Sequence, residues 1–339
     1  MTHSEFSRLL AGGGLPSVLF FEGPEEHLKQ QALADLRKAL LPEGLEEMNE
    51  TRLDSPETDA LIAAAETLPF LADRRLILLR DPAAVVGRAE ADDRLLEYLP
   101  KVPPTAVIVF YIVQPVKQKK IKNAVTKLGG LVQFKPLAGA ELTSFVTSAF
   151  HDLGRECDAR TADYLIFTCG ADSGRLLTEI AKIAALHPEE PRVCPEDVQA
   201  LATPSTESTV FRITDAVVAG KDAEAFRLLR FLLQGGEQRM MVLAMLMRQF
   251  RLLQHVKIMQ YERLSPARIA QALGLSSYSA QQYIRQAALF TGGQVKQAVS
   301  LCLDTDLAVK SGQLRDEGAL EALMLKLLQL RKNEKDLLK

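Results

Sequence analysis

The feature that most constrains this chain is a set of short apolar runs without polar alternation. Val18-Leu19-Phe20-Phe21, Leu76-Ile77-Leu78-Leu79, Ala106-Val107-Ile108-Val109-Phe110-Tyr111 and Leu131-Val132-Gln133-Phe134 are such runs. A strand with one wet face alternates apolar and polar residues, so continuous runs imply strands covered on both faces. Helical spacing lies between them: Leu28, Ala32, Leu36, Ala39 and Leu40 recur at a helical period from Glu25 to Leu40, and Pro42 follows as a stop. The combination predicts a mostly parallel α/β sheet over the first 135 or so residues.

After Lys135-Pro136 the pattern becomes helical, first with Leu142, Phe145, Val146, Ala149 and Leu153. A polar stretch at Thr203-Pro204-Ser205-Thr206-Glu207-Ser208 marks a second boundary. Beyond it, one helix carries Phe226, Leu229, Leu232 and Leu233, and another carries Leu243, Leu246, Met247, Phe250 and Leu253. The expected layout is an α/β domain over 1–138, a small helical domain over 139–208 and a larger helical domain over 209–339. A chain of 339 residues suits two or three domains.

Composition narrows the function classes. With 47% apolar and 25% charged residues the chain reads as globular. No apolar run approaches the roughly 18 residues of a membrane span, and Met1-Thr2-His3-Ser4-Glu5 lacks the basic flank of a secretory signal. A cytoplasmic location is expected. Cys157, Cys169, Cys194 and Cys302 are too scattered for a zinc knuckle or a disulfide framework. A net charge of −2 offers no bulk attraction to nucleic acid, so any contact with DNA must come from a local basic patch. The histidines His3, His27, His151, His187 and His255 form no nucleophile or metal motif, so neither catalysis nor a cofactor is expected.

The segment Gly23-Pro24-Glu25-Glu26-His27-Leu28-Lys29-Gln30 stands where a phosphate loop would follow the first strand. In G-x-x-x-x-G-K-[ST], the glycines let backbone amides wrap phosphate, the lysine meets its charge and the hydroxyl holds magnesium. Counted from Gly23, the second glycine is Leu28, the lysine survives as Lys29, and the hydroxyl position is Gln30. Glu25 and Glu26 suit the first turn of a helix but repel a triphosphate. Leu76 to Leu79 lead to Arg80-Asp81 rather than the paired acids of a magnesium site. A worn phosphate loop and an ordinary strand–turn–helix both fit this segment taken alone.

In Thr67-Leu68-Pro69-Phe70-Leu71-Ala72-Asp73-Arg74-Arg75, Pro69 ends a helical pattern and the arginines return the chain to a strand. Phe70 and Leu71 are adjacent in a turn and cannot both point inward. Bare pattern favours a core plug at this junction; the other reading is a wedge held out for a partner's pocket.

Taken together, these segments resemble the delta subunit of the bacterial DNA polymerase III clamp loader over nearly the full chain. The resemblance is carried by Leu19-Phe20-Phe21-Glu22-Gly23-Pro24-Glu25-Glu26, by Thr67 to Leu76, and by Gly170-Ala171-Asp172 with Leu176, Glu179, Lys182 and Ile183. Phe211-Arg212-Ile213-Thr214-Asp215-Ala216, Arg248-Gln249-Phe250-Arg251-Leu252-Leu253 and Asp306-Leu307-Ala308-Val309-Lys310-Ser311-Gly312 continue it. The resemblance implies an AAA+ domain without a working ATP site, a small lid-type helical domain and a C-terminal collar that joins the other loader subunits (delta-prime and gamma/tau). It also implies that Leu68, Pro69, Phe70 and Leu71 dock into the sliding clamp (beta), with Phe70 and Leu71 in the reverse of the common leucine–phenylalanine order. The chain would open the ring, or hold it open, for loading onto primed DNA without regard to sequence. It would be nucleoid-associated and have no enzymatic activity of its own; the DNA-directed DNA polymerase, a nucleotidyltransferase, is the holoenzyme.

Lys117, Lys119, Lys120, Lys122 and Lys127 form a basic cluster that suits a solvated helix face, or in a clamp loader a track for the DNA backbone. Arg175 occupies the place of a nucleotide-sensing arginine, and without a phosphate loop it reads as structural or as an inter-subunit contact. A rival function, that of a DNA-binding transcription regulator, lies at Ser265 to Ala287, spaced as helix, glycine turn and helix like a DNA-reading helix-turn-helix. That segment offers Arg285 but little other positive charge, and such hairpins are common in plain bundles.

Overall fold

A computed structural model describes residues 1–87, 92–186 and 191–337, which form two compact units, Met1–Leu137 and Ala138–Lys339. In the first unit the strands are β1 (Val18–Glu22), β2 (Glu50–Leu53), β3 (Arg75–Arg80), β4 (Ala106–Tyr111) and β5 (Leu131–Gln133). They form one sheet in the order β2-β3-β4-β1-β5, and every pairing is parallel. Four of the five lie on the apolar runs. The fifth, β2, has the sequence Glu50-Thr51-Arg52-Leu53 and sits at an edge, half in solvent, so it carries no apolar signature.

Both faces are covered, as continuous runs require. Val18, Leu19, Phe20 and Phe21 are all buried. Phe20 joins Ile77, Ile108 and Phe110 in one core, which also takes Leu61 and Ala65 of helix Thr58–Glu66 and Ile121 and Val125 of helix Lys120–Lys127. Phe21 meets Phe6 of helix His3–Ala11 edge-on at 5.3 Å and Phe134 at 5.1 Å. Helix Glu26–Leu40 contributes Leu28, Ala32, Leu33 and Leu36 to the buried set.

Because every strand points the same way, the sheet has an amino edge and a carboxyl edge. Six residues at about 3.3 Å each put them roughly 20 Å apart along β3 and β4. The turn after β1 lies at the carboxyl edge, and the segment before β3 lies at the amino edge. The two features singled out in the sequence therefore occupy opposite ends of one sheet.

Among its described residues the second unit is helical apart from a parallel pair, Glu156–Cys157 with Arg192–Val193. Helices Ala140–Asp152, Ala159–Cys169, Ser173–Ala184 and Pro195–Leu201 precede the polar stretch at 203–208. Helix Thr206–Ala219 begins within that stretch, Asp222–Gln234 and Arg239–Tyr261 follow it, and Pro266–Leu273, Ser277–Ala288, Gly292–Lys310 and Ala319–Leu337 complete the bundle. Its core runs through Ile213, Leu229, Leu246, Phe250, Val295 and Cys302.

Candidate functional site

Leu68, Phe70 and Leu71 keep 77%, 52% and 76% of their surface exposed. The core-plug reading fails here: these apolar side chains stand outside the fold. Helix Thr58–Glu66 ends one residue before Thr67, whose N–H and hydroxyl both donate to Ala63 O. Leu71 adopts a left-handed backbone with φ of 49°, a conformation that costs an L residue about 1–2 kcal/mol.

Two buried polar side chains hold this loop from below. Asn49 is fully buried; its Oδ1 accepts from Phe70 N at 2.7 Å and its Nδ2 donates to Phe70 O at 2.9 Å. The guanidinium of Arg75 donates through Nη1 to Thr67 O at 3.2 Å and through Nη2 to Thr51 Oγ1 at 2.8 Å. Parallel pairing of Glu50 with Leu76 sets Asn49 and Arg75 side by side at the amino edge. Sequence reasoning missed Asn49. A buried asparagine 21 residues from its partner leaves no local periodic signal.

At the carboxyl edge, Gly23 has φ of 138°, and a Cβ there would lie 2.1 Å from Phe134 O. This glycine serves the close approach of β1's exit to β5's exit, where Phe134 N also donates to Glu22 O. Leu28, at the second glycine position, is buried. Lys29 is 1% exposed, and its Nζ donates to Ile112 O at 2.8 Å, pairs with Glu26 at 2.8 Å and lies 5.4 Å above the Tyr111 ring. Tyr111 donates its hydroxyl to Glu26 Oε1 at 2.8 Å, and Gln30 Nε2 donates to the same oxygen at 3.3 Å. Burial pushes the Glu26 carboxyl up, but bonds from Lys29 and Tyr111 outweigh it and hold it below the usual carboxylate range. Burial, and after it the same carboxylate, push the Tyr111 hydroxyl well above its usual range. The lysine that would meet phosphate is thus an internal tie between helix Glu26–Leu40 and the exit of β4. Asp81, past β3, accepts from Val113 N and Gln114 N, a loop-binding role rather than a metal-holding one.

The basic cluster is divided. Lys117, Lys119, Lys120 and Lys127 are exposed, whereas Lys122 is half-buried and pairs with Glu22 at 2.6 Å. Arg175 donates to Thr203 O and Pro204 O, tying its helix to the boundary stretch. In the helix-turn-helix segment, Gly274 is left-handed and Ser276 caps the second helix by accepting from Ser279 N. The second helix turns inward: Tyr283 meets Phe211 edge-on at 5.4 Å, and Gln286 donates to Phe211 O and Asp215 Oδ1. Its inner face is part of the bundle core.

Cys169 and Cys302 are buried, and burial pushes their thiols up to about 11 and about 12. His187 lies outside the described residues. Among the described residues no His, Cys, Asp and Glu group is arranged to hold a metal, and no helix is long and apolar enough to cross a membrane.

Two family models match the chain. The model for the DNA polymerase III delta subunit matches residues 19–134, which contain all of the sheet but Val18, the phosphate-loop segment and the exposed loop. The model for the C-terminal domain of the same subunit matches residues 207–327. The DNA polymerase III subunit delta of Bacillus subtilis (strain 168) is 24% identical over 339 residues, covering 96% of each chain. The solved structure of the Bacillus subtilis DNA clamp loader delta protein (YqeN) superposes with a TM-score of 0.55 at 22% identity. That alignment covers 96% of this chain and 99% of the other, and shows that the fold is shared. With both family models falling in order on its two ends, the chain belongs to the DNA polymerase III delta subunit family.

Proposed function

We propose that this chain is the non-catalytic clamp-loader subunit that docks on the sliding clamp through Leu68, Pro69, Phe70 and Leu71 and holds the ring open for loading onto primed DNA. The observation that carries this reading is the loop itself: three large apolar side chains exposed together on a backbone tied down by buried Asn49 and Arg75. A fold that needed those side chains only for stability would bury them. Burying Phe70 and Leu71 in a partner contributes about 1.5–3 kcal/mol each, enough for the anchor of an interface.

Ring opening follows by differential binding. A subunit that grips the open ring more tightly than the closed one shifts the population toward open. ATP drives the cycle at other loader subunits, of the gamma/tau type, because Lys29 and Glu26 are engaged with each other and with Ile112 and Tyr111. The helices from residue 209 onward serve as the collar toward those subunits and delta-prime, with residues 139–208 as a lid-type domain. Lys117, Lys119 and Lys120 supply backbone contacts to DNA that carry no sequence information, with Lys122 held back by Glu22. Such a subunit works in the cytoplasm at the nucleoid.

The test is a Phe70→Ala/Leu71→Ala double variant, assayed for clamp binding and thermal unfolding. Loss of roughly a hundredfold or more in clamp affinity with an unchanged melt is expected, since two hot-spot side chains go. Undiminished clamp binding, or a collapsed melt, refutes the docking role.

A further inference from the structure

We infer that Asn49 is a positioning residue for partner docking: its buried amide fixes Phe70 and Leu71 in the docking conformation before any partner arrives. This rests on the docking role proposed for the loop.

The side chain lies in the core immediately before β2 and uses both ends of its amide on one residue of the exposed loop. Its third bond, from Nδ2 to Leu45 O at 3.1 Å, fixes the amide plane against its own short helix, Glu46–Asn49. The side chain therefore acts toward Phe70 as a neighbouring strand would, satisfying its N–H and C=O together. Packing alone does not call for an amide here, because an apolar side chain would fill buried space without polar groups to satisfy. On the other side of Pro69, Arg75 holds Thr67 O. The loop is thus gripped at two points, separated by Leu68 and by Pro69, whose ring restricts φ and which has no N–H.

The left-handed Leu71 follows the Asn49 grip directly. Unfavourable backbone of this kind persists when surrounding contacts over-determine it, and the paired bonds to Phe70 are such contacts. A loop ordered in the free chain loses less conformational freedom on docking than a mobile one, so affinity is gained without any added contact. Asn49 is buried and acts through the placement of Phe70 and Leu71.

The experiment compares Asn49→Ala and Asn49→Asp with the full wild-type chain. The readouts are amide hydrogen exchange in the free protein and binding to the clamp. In Asn49→Ala, exchange at Phe70 speeds up while β1 and β4 stay protected, and clamp affinity falls about tenfold although every docking side chain is present. Asn49→Asp keeps an acceptor for Phe70 N–H, and its buried carboxyl favours the protonated form, whose single O–H replaces the two bonds from Nδ2 to Phe70 O and Leu45 O, so its loss falls between. Should Asn49→Ala fail to fold, the aspartate variant carries the test. Exchange over 67–74 as slow as in wild type overturns the inference, and so does a loosened loop that binds the clamp as wild type does. Wild-type clamp affinity in the Phe70→Ala/Leu71→Ala variant instead overturns the docking role. The free-chain exchange still decides whether Asn49 holds the loop.

Discussion

Leu71 shows how one residue can carry two opposed signals. Its side chain is exposed and apolar, and its backbone is left-handed, each unfavourable for a leucine in isolation. Either could be removed by substitution without disturbing the core, which makes the cost measurable. Leu71→Gly relieves the backbone, whereas Leu71→Ala keeps the Cβ that makes φ of 49° unfavourable. In chemical denaturation the glycine variant is therefore expected to be about 1 kcal/mol more stable than the alanine variant, despite glycine's larger loss of chain entropy. The reverse order would mean that the left-handed backbone carries no strain. The left-handed backbone is not visible in the letters of the sequence, where bare pattern makes Phe70 and Leu71 a plug for a helix–strand junction and only the resemblance makes them a docking pair.

Among the elements, the turn from β1 into helix Glu26–Leu40 best shows the difference between a motif and its use. Gly23 and Lys29 are two of the residues that a phosphate loop needs, and both have structural duties here: close contact with Phe134 and an internal tie to Ile112. In a working phosphate loop, removing the lysine damages nucleotide binding and spares the fold. Here Lys29→Ala is expected to destabilise the chain by about 2 kcal/mol, because Ile112 O and Glu26 lose a buried donor. The pH dependence has a definite sign. Glu26 is held below its usual value near 4.5, so its contribution is present above that value and is lost as pH falls through the lower, folded value. The gap between wild type and Lys29→Ala should narrow below about pH 4.5, read from urea midpoints across an acid series. A gap that stays constant there would show that the Lys29–Glu26 pair contributes nothing. The element most poorly legible in the sequence was β2, since an edge strand of Glu, Thr, Arg and Leu has neither an apolar run nor a clean alternation.

For the whole molecule, two groups of exposed apolar residues carry different meanings. One is the loop at the sheet's amino edge. The other lies in the helical unit, where Leu303 and Leu307 share one face of helix Gly292–Lys310 and are 50% and 67% exposed. Exposed apolar patches of this kind mark association surfaces. On the collar reading, a Leu303→Glu/Leu307→Glu variant should fail to assemble with the other loader subunits, seen by size-exclusion chromatography. Its own melt should move little, because such surface changes usually fall within about 0.5 kcal/mol. Assembly at wild-type strength would place the collar contact elsewhere.

Sequence alone specifies the parallel sheet, its two covered faces and the change to helices after Lys135-Pro136. These follow from periodicity, which is local and additive along the chain. It also determined that Leu28 and Gln30 cannot serve phosphate, because that chemistry depends on residue type. Tertiary packing was needed to set Phe70 and Leu71 outside the fold, with Asn49 and Arg75 holding them there. It alone placed the exposed loop and the altered phosphate loop at opposite edges of the sheet. A side chain's direction and its distant hydrogen-bond partners depend on strand register. Pairing Glu50 with Leu76 brings together residues that no local pattern connects.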